Sequence, residues 1–166
     1  MLYLLERIRG AIAVQQYGGP EERADLTVGG VTSIPYKLRR IQVPHLIRRI
    51  EGFSIAEYRK EALVAYCYRS VGSYRDAFLH FDNAISVHPE QTEESDFPAH
   101  VDGYLEALGD IQRLPQEDRK DLHKMAIERL TGLLPVLPDM EYKLRGSLGV
   151  SCDGIGQMGR VLGYHE

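Results

Sequence analysis

The sequence predicts an all-α protein built from helical hairpins, and three observations carry that prediction. Apolar residues recur at helical spacing in one segment after another, glycine and proline fall between the segments, and no convincing pair of strands appears. Met1 to Gln16 is the first such segment, with Leu2, Leu5, Ile8 and Ile12 on one stripe, stopped by Gly18-Gly19-Pro20. Residues 25–36 are rich in Thr, Val and Gly and end in Ile34-Pro35-Tyr36, which favours an extended arm. Lys37 to Glu51 resumes a helical pattern that Pro44 is expected to start or kink. Glu57 to Val71 is strongly periodic, with Ala62, Leu63, Tyr66 and Cys67 placed to pack, and Gly72 follows where a residue without a Cβ ends a helix most cheaply. Tyr74 to Val87 makes the next helix, ended by Pro89, and Gln91 to Ser95 is an acidic linker by composition. Two further helices are expected near Ala99–Leu114 and Glu117–Leu134, joined at Pro115. The stretch from Gly146 holds six glycines in twenty-one residues and is expected to be loose. The organisation predicted is an N-terminal helix and extended arm over 1–36, a helical core over 37–147, and a flexible glycine-rich tail over 148–166.

Composition narrows the function classes. With 166 residues, 43% hydrophobic and 27% charged, the chain has the make-up of one globular domain. No apolar run approaches the roughly 20 residues a spanning helix needs, so no transmembrane segment is expected. Met1 to Val14 carries Glu6, Arg7 and Arg9, which does not suit a secretory signal. Cys67 and Cys152 set up no disulfide framework, and a reducing intracellular compartment is expected. The net charge of −4 hides a gradient: residues 1–60 hold ten Lys/Arg against six Asp/Glu, and residues 61–138 hold seven against fourteen. Asp76 to Asp110 contains nine acids and no Lys or Arg, whereas Lys37, Arg39, Arg40, Arg48 and Arg49 crowd together as a basic docking patch. An acidic protein surface, or the acidic middle of a second copy, is the expected target of these arginines, with solvated faces as the plain alternative. Tyr36 beside this cluster also suits nucleic acid, but the overall acidity makes that the less favoured partner.

The most specific pattern is Gly72-x-Tyr74-x2-Ala77-x3-Phe81-x2-Ala84-Ile85-x3-Pro89. It resembles the second half of a tetratricopeptide repeat, whose small residues let two helices pack closely while the aromatic fills the space between hairpins. The resemblance covers 58–91, departing from the family at Glu61, where a Trp is usual, and at Val64-Ala65, which replaces Leu-Gly. A weaker copy over 102–138 is carried by Leu105-x2-Leu108-Gly109 and Ala126-x3-Leu130-x2-Leu133-x4-Pro138, with Gln112 and Leu133 off the pattern. Such hairpins stack three or more deep, so the flanking helices Lys37–Glu51 and Met140–Arg145, or another subunit, must cap them. That shortage implies a scaffold or structural subunit whose partners are other protein subunits, possibly further copies of itself. A peptide-binding regulatory adaptor, an RNA-binding accessory protein and a small helical enzyme stay open. The resemblance implies a concave partner-binding groove lined by Arg59, Ala62, Tyr66, Arg69 and Ser70, then Glu106, Asp110 and Arg113.

Catalytic and cofactor patterns are weaker, and no cofactor or metal is expected. Gly154-x-Gly156-x2-Gly159 spells a dinucleotide fingerprint, yet the seven residues after it cannot supply the helix and second strand that the fingerprint needs. His88, Glu90, Glu93, Asp96 and His100 are close in sequence but lack a tight helical ligand spacing. His80 reads as a surface or capping residue, and Cys67 as a buried inert thiol on a packed stripe. No nucleophile elbow, His-Glu-x2-His pair or phosphate loop appears.

Overall fold

The computed structural model describes residues 36–87 and 97–156, together with Gly19. The expected N-terminal helix, the arm up to Pro35 and the linker Gln91–Ser95 lie outside these residues. All regular structure among the described residues is helical, and no described helix is long and apolar enough to cross a membrane. The chain divides into two compact units, Met1–Val87 and His88–Glu166. The helices expected over 37–147 fall in both units, whose boundary lies between Val87 and His88.

In the first unit, α1 (Tyr36–Glu51), α2 (Glu57–Ser70) and α3 (Tyr74–Ser86) follow in order. Val43, Leu46 and Ile50 make one buried stripe on α1 and join Leu63, Val64 and Cys67 of α2 in a common core. Helix α1 runs on through Pro44. The proline removes the donor for the carbonyl of Arg40, and both residues are exposed. Helix α2 buries Ala62, Leu63, Val64 and Ala65 in succession because it packs against α1 on one flank and α3 on the other. Its end is dictated by Gly72, whose φ of 77° is open to glycine at no steric cost. The Gly72 N–H donates to the Arg69 carbonyl and the Ser73 N–H to the Tyr68 carbonyl, both near 3 Å, the Schellman pattern that closes a helix. On α3, Ala77, Phe78, Phe81, Ala84 and Ile85 are buried. The small side chains Ala65, Ala77 and Ala84 let α2 and α3 close into a hairpin, and Phe81 fills the space beside them with the Tyr66 ring edge-on at 4.9 Å.

The second unit holds α4 (Phe97–Asp110), a short 3-10 turn (Ile111–Arg113), α5 (Gln116–Leu133), a second 3-10 turn (Pro138–Met140) and α6 (Glu141–Gly154). Its core is Val101, Tyr104, Ala107, Leu108 and Ile111 with Leu122, Ala126, Leu130 and Leu144. Helix α5 packs along α6, α6 also meets α4, and the first 3-10 turn links α4 to α5. The direct α4–α5 pairing that a repeat over 102–138 requires is not among the close helix pairs.

The glycine-rich stretch from Gly146 is a correction to the sequence reading, because it is helical to Gly154. Leu144, Leu148 and Cys152 recur every fourth residue and are buried with Ser151. Burying each leucine is worth about 1.5–3 kcal/mol, which outweighs the roughly 0.5–1 kcal/mol cost of each interior glycine. Gly156, with φ of 72°, closes this end. Gly154 therefore ends a helix, and the dinucleotide spelling has no strand before it.

Candidate interaction surfaces

A groove of about 880 Å³ lies between α4 and α6 in the second unit. Leu105 and Leu108 line it from α4, and Tyr142 and Val150 from α6. Tyr142 is 93% exposed and Val150 50% exposed, an apolar display that α6 could have avoided with polar residues. Gly109, Gly146 and Gly149 also line the groove, and a Cβ added to Gly109 or Gly146 would meet nothing within 4 Å. These gaps leave backbone accessible from the groove side. Its rim is polar: Lys143 Nζ reaches Asp102 Oδ1 at 2.8 Å from α6 to α4, and Arg145 Nε holds Glu141 at 2.7 Å.

The expected partner-binding residues divide between the units. Glu106 is exposed and lines the α4–α6 groove, whereas Asp110 is paired to Arg113 at 3.4 Å. Arg59, Tyr66, Arg69 and Ser70 share one face of α2 in the first unit by their helical spacing, with Ala62 buried beneath them. Tyr66 is committed by its ring to Phe81, and the Ser70 hydroxyl donates to the Cys67 carbonyl at 2.7 Å. Of the basic patch, Arg40, Arg48 and Arg49 are exposed on α1; the side chains of Lys37 and Arg39 lie outside the described residues. A second, smaller concavity of about 360 Å³ lies beside this patch, lined by Arg40, Val43, Pro44, Ile47 and Arg48 of α1 and by Tyr68, Val71 and Ser73.

Glu61, which stands where the repeat family carries Trp, reaches across the α2–α3 hairpin. Its Oε2 lies 2.8 Å from His80 Nδ1 and accepts from Asn83 Nδ2 at 3.4 Å, while Tyr68 stacks on the His80 ring at 5.2 Å. His80 is therefore part of the hairpin contact and not a free surface group. Cys67 is fully buried, and burial pushes its thiol up to about 12, so no thiolate forms near neutrality. Of His88, Glu90, Glu93, Asp96 and His100, only His100 is described, and among the described residues no group of three His, Cys, Asp or Glu side chains could hold a metal ion.

His123 is a buried polar group of the second unit that the sequence reading does not single out. It is fully buried with Gln112 Nε2 at 3.2 Å from its Nε2. Arg119, which can only donate, takes Gln112 Oε1 at 3.1 Å. The amide N–H groups are left for the imidazole, which assigns His123 Nε2 as acceptor and the ring proton to Nδ1, a buried atom with no hydrogen-bond partner in the structure. A protonated ring would set donor against donor. Burial, helped by the Arg119 guanidinium, pushes the His123 imidazole below its ordinary value of 6.5. Gly154 is pressed against this ring so closely that a Cβ there would overlap it.

In comparisons with protein-family models, with curated proteins and with solved structures, the chain matches none. The α4–α6 groove is hidden in the sequence because only Met140–Arg145 reads as helix there, and the stretch from Gly146 reads as loose. The repeat of Leu144, Leu148 and Cys152 was the signal that could have disclosed it.

Proposed function

We propose that this chain is a structural or adaptor subunit of an intracellular protein assembly, holding a helix of a partner protein in the α4–α6 groove. The groove carries the reading. It combines apolar walls, exposed Tyr142 and Val150, and a polar rim, the features that separate a docking surface from ordinary exposed carbon. Helix-in-groove recognition needs room for the backbone of the incoming helix, and the bare faces of Gly109 and Gly146 provide it. The α2–α3 hairpin supports the same class as a single tetratricopeptide-like unit. What supports this is the pattern of Gly72, Ala77, Phe81 and Ala84 on which the resemblance rests, with the three side chains of α3 buried and a Glu61–His80 contact where the family usually carries Trp. Cys67 and Cys152 are both free thiols, as a reducing compartment allows.

Cross-linking tests the groove directly. A photoreactive p-benzoylphenylalanine in place of Tyr142 should give a discrete protein adduct in cells that express the full chain. The same group in place of Glu128, exposed on α5, should not. No adduct from position 142, or the same smear from both positions, contradicts the reading.

A further inference from the structure

We infer that the smaller cleft of the first unit docks an extended acidic segment of a partner protein, one apolar side chain entering between Arg40 and Arg48 and one carboxylate meeting each arginine. This site rests on the adaptor reading only for its partner being a protein. It uses no residue of the α4–α6 groove, so either site can fail alone.

The cleft is built from one stripe of α1. Arg40, Val43, Pro44, Ile47 and Arg48 follow at i, i+3, i+4, i+7 and i+8, so the two arginines bracket an apolar strip. Val71 and Tyr68 stand opposite, and Ile47, Tyr68 and Val71 rest on the buried core of Val43, Leu46 and Leu63. The floor is thus fixed by packing and does not have to form on binding. Its volume, about 360 Å³, is at the low end of ligand-sized pockets and suits a side chain better than a helix. Neither Arg40 nor Arg48 has an acidic partner among the described residues.

Geometry then fixes the register. Arg40 and Arg48 are separated by about 12 Å along the helix axis, at about 1.5 Å per residue. An extended peptide advances about 3.3 Å per residue, so carboxylates four positions apart meet both arginines, and the residue midway points at the floor. The pattern is acid-x-apolar-x-acid. One wall opposes negative charge: burial chiefly raises the Tyr68 phenol, and the nearby carboxylates of Asp76 and Glu51 add to it. The partner's acids are therefore confined to the arginine side. Arg49 does not line the cleft and lies about 100° further around the helix than Arg48, which makes it an internal control.

The test is fluorescence anisotropy on the full chain, with a labelled peptide Gly-Ser-Glu-Ser-Leu-Ser-Glu-Ser-Gly as the probe. Binding is expected at low salt and should fade towards 1 M salt, where screening shortens to about 3 Å. Arg40→Glu or Arg48→Glu should weaken it about tenfold or more, the loss of one charge-assisted contact. Arg49→Glu should change it less than about threefold, as a charge outside the contact does. A probe with Ser in place of Leu, or Gln in place of both Glu, should bind correspondingly worse. Arg48→Gln, with circular dichroism as a check of folding, covers the case that a charge reversal disturbs α1. No binding by the unaltered chain, equal losses from Arg48→Glu and Arg49→Glu, or tighter arginine-dependent binding of a labelled single-stranded RNA would each overturn the inference.

Discussion

Gly146 and Gly154 lie on one helix and have opposite environments. A Cβ at Gly146 enters open space, and one at Gly154 strikes the His123 ring. Gly146→Ala should therefore stabilise the second unit by about 0.5–1 kcal/mol, the usual gain from removing an interior helical glycine. Gly154→Ala should destabilise it by about 1–3 kcal/mol through overpacking. Paired urea melts of the full chain check both signs. His123 makes a second prediction at this scale. Its folded-state value is depressed by burial and by Arg119, so the unfolded chain takes up this proton more readily than the folded one. The stability it contributes is intact above about pH 6.5 and is lost as pH falls from there through the lower folded value. Urea melts between about pH 7 and about pH 5 should show that acid loss in the unaltered chain and a flatter slope in His123→Gln.

Helices were legible in the sequence where an apolar stripe and a stop signal agreed. Gly72 marks the turn of the α2–α3 hairpin, and its positive φ is the conformation that made glycine informative there. Ala84 is fully buried, and Ala84→Leu should overpack this hairpin at a cost of about 1–3 kcal/mol. A thermal melt unchanged by that substitution would contradict close packing of α2 on α3. Where composition and periodicity disagreed, composition misled. Six glycines from Gly146 onward suggested a loose tail, but the stripe of Leu144, Leu148 and Cys152 buried against the unit settles α6 as a helix. The α4–α6 groove was lost with it. The α2 face was legible by its spacing, though spacing alone could not foresee that Tyr66 turns its ring to Phe81. Nor could the sequence pair Glu61 with His80, since that contact depends on how two helices meet.

At the scale of the whole molecule, two compact units each present an apolar concavity with charged edges. Burial holds Cys67 as a thiol, and His123 is buried with Gln112 against its ring. What the surfaces offer is contact area. The central claim is that the α4–α6 groove holds a protein partner, and Gly146→Leu tests it most directly. The added side chain enters empty groove space and replaces a poor helix former with a good one, so the fold should be kept or strengthened. Native mass spectrometry of the tagged full chain, purified at physiological salt from cells that express it, should find a complex of fixed stoichiometry for the unaltered chain. The Gly146→Leu chain should appear alone, with its thermal melt undiminished. A complex that survives Gly146→Leu unchanged, or an unaltered chain that purifies alone, would contradict the account.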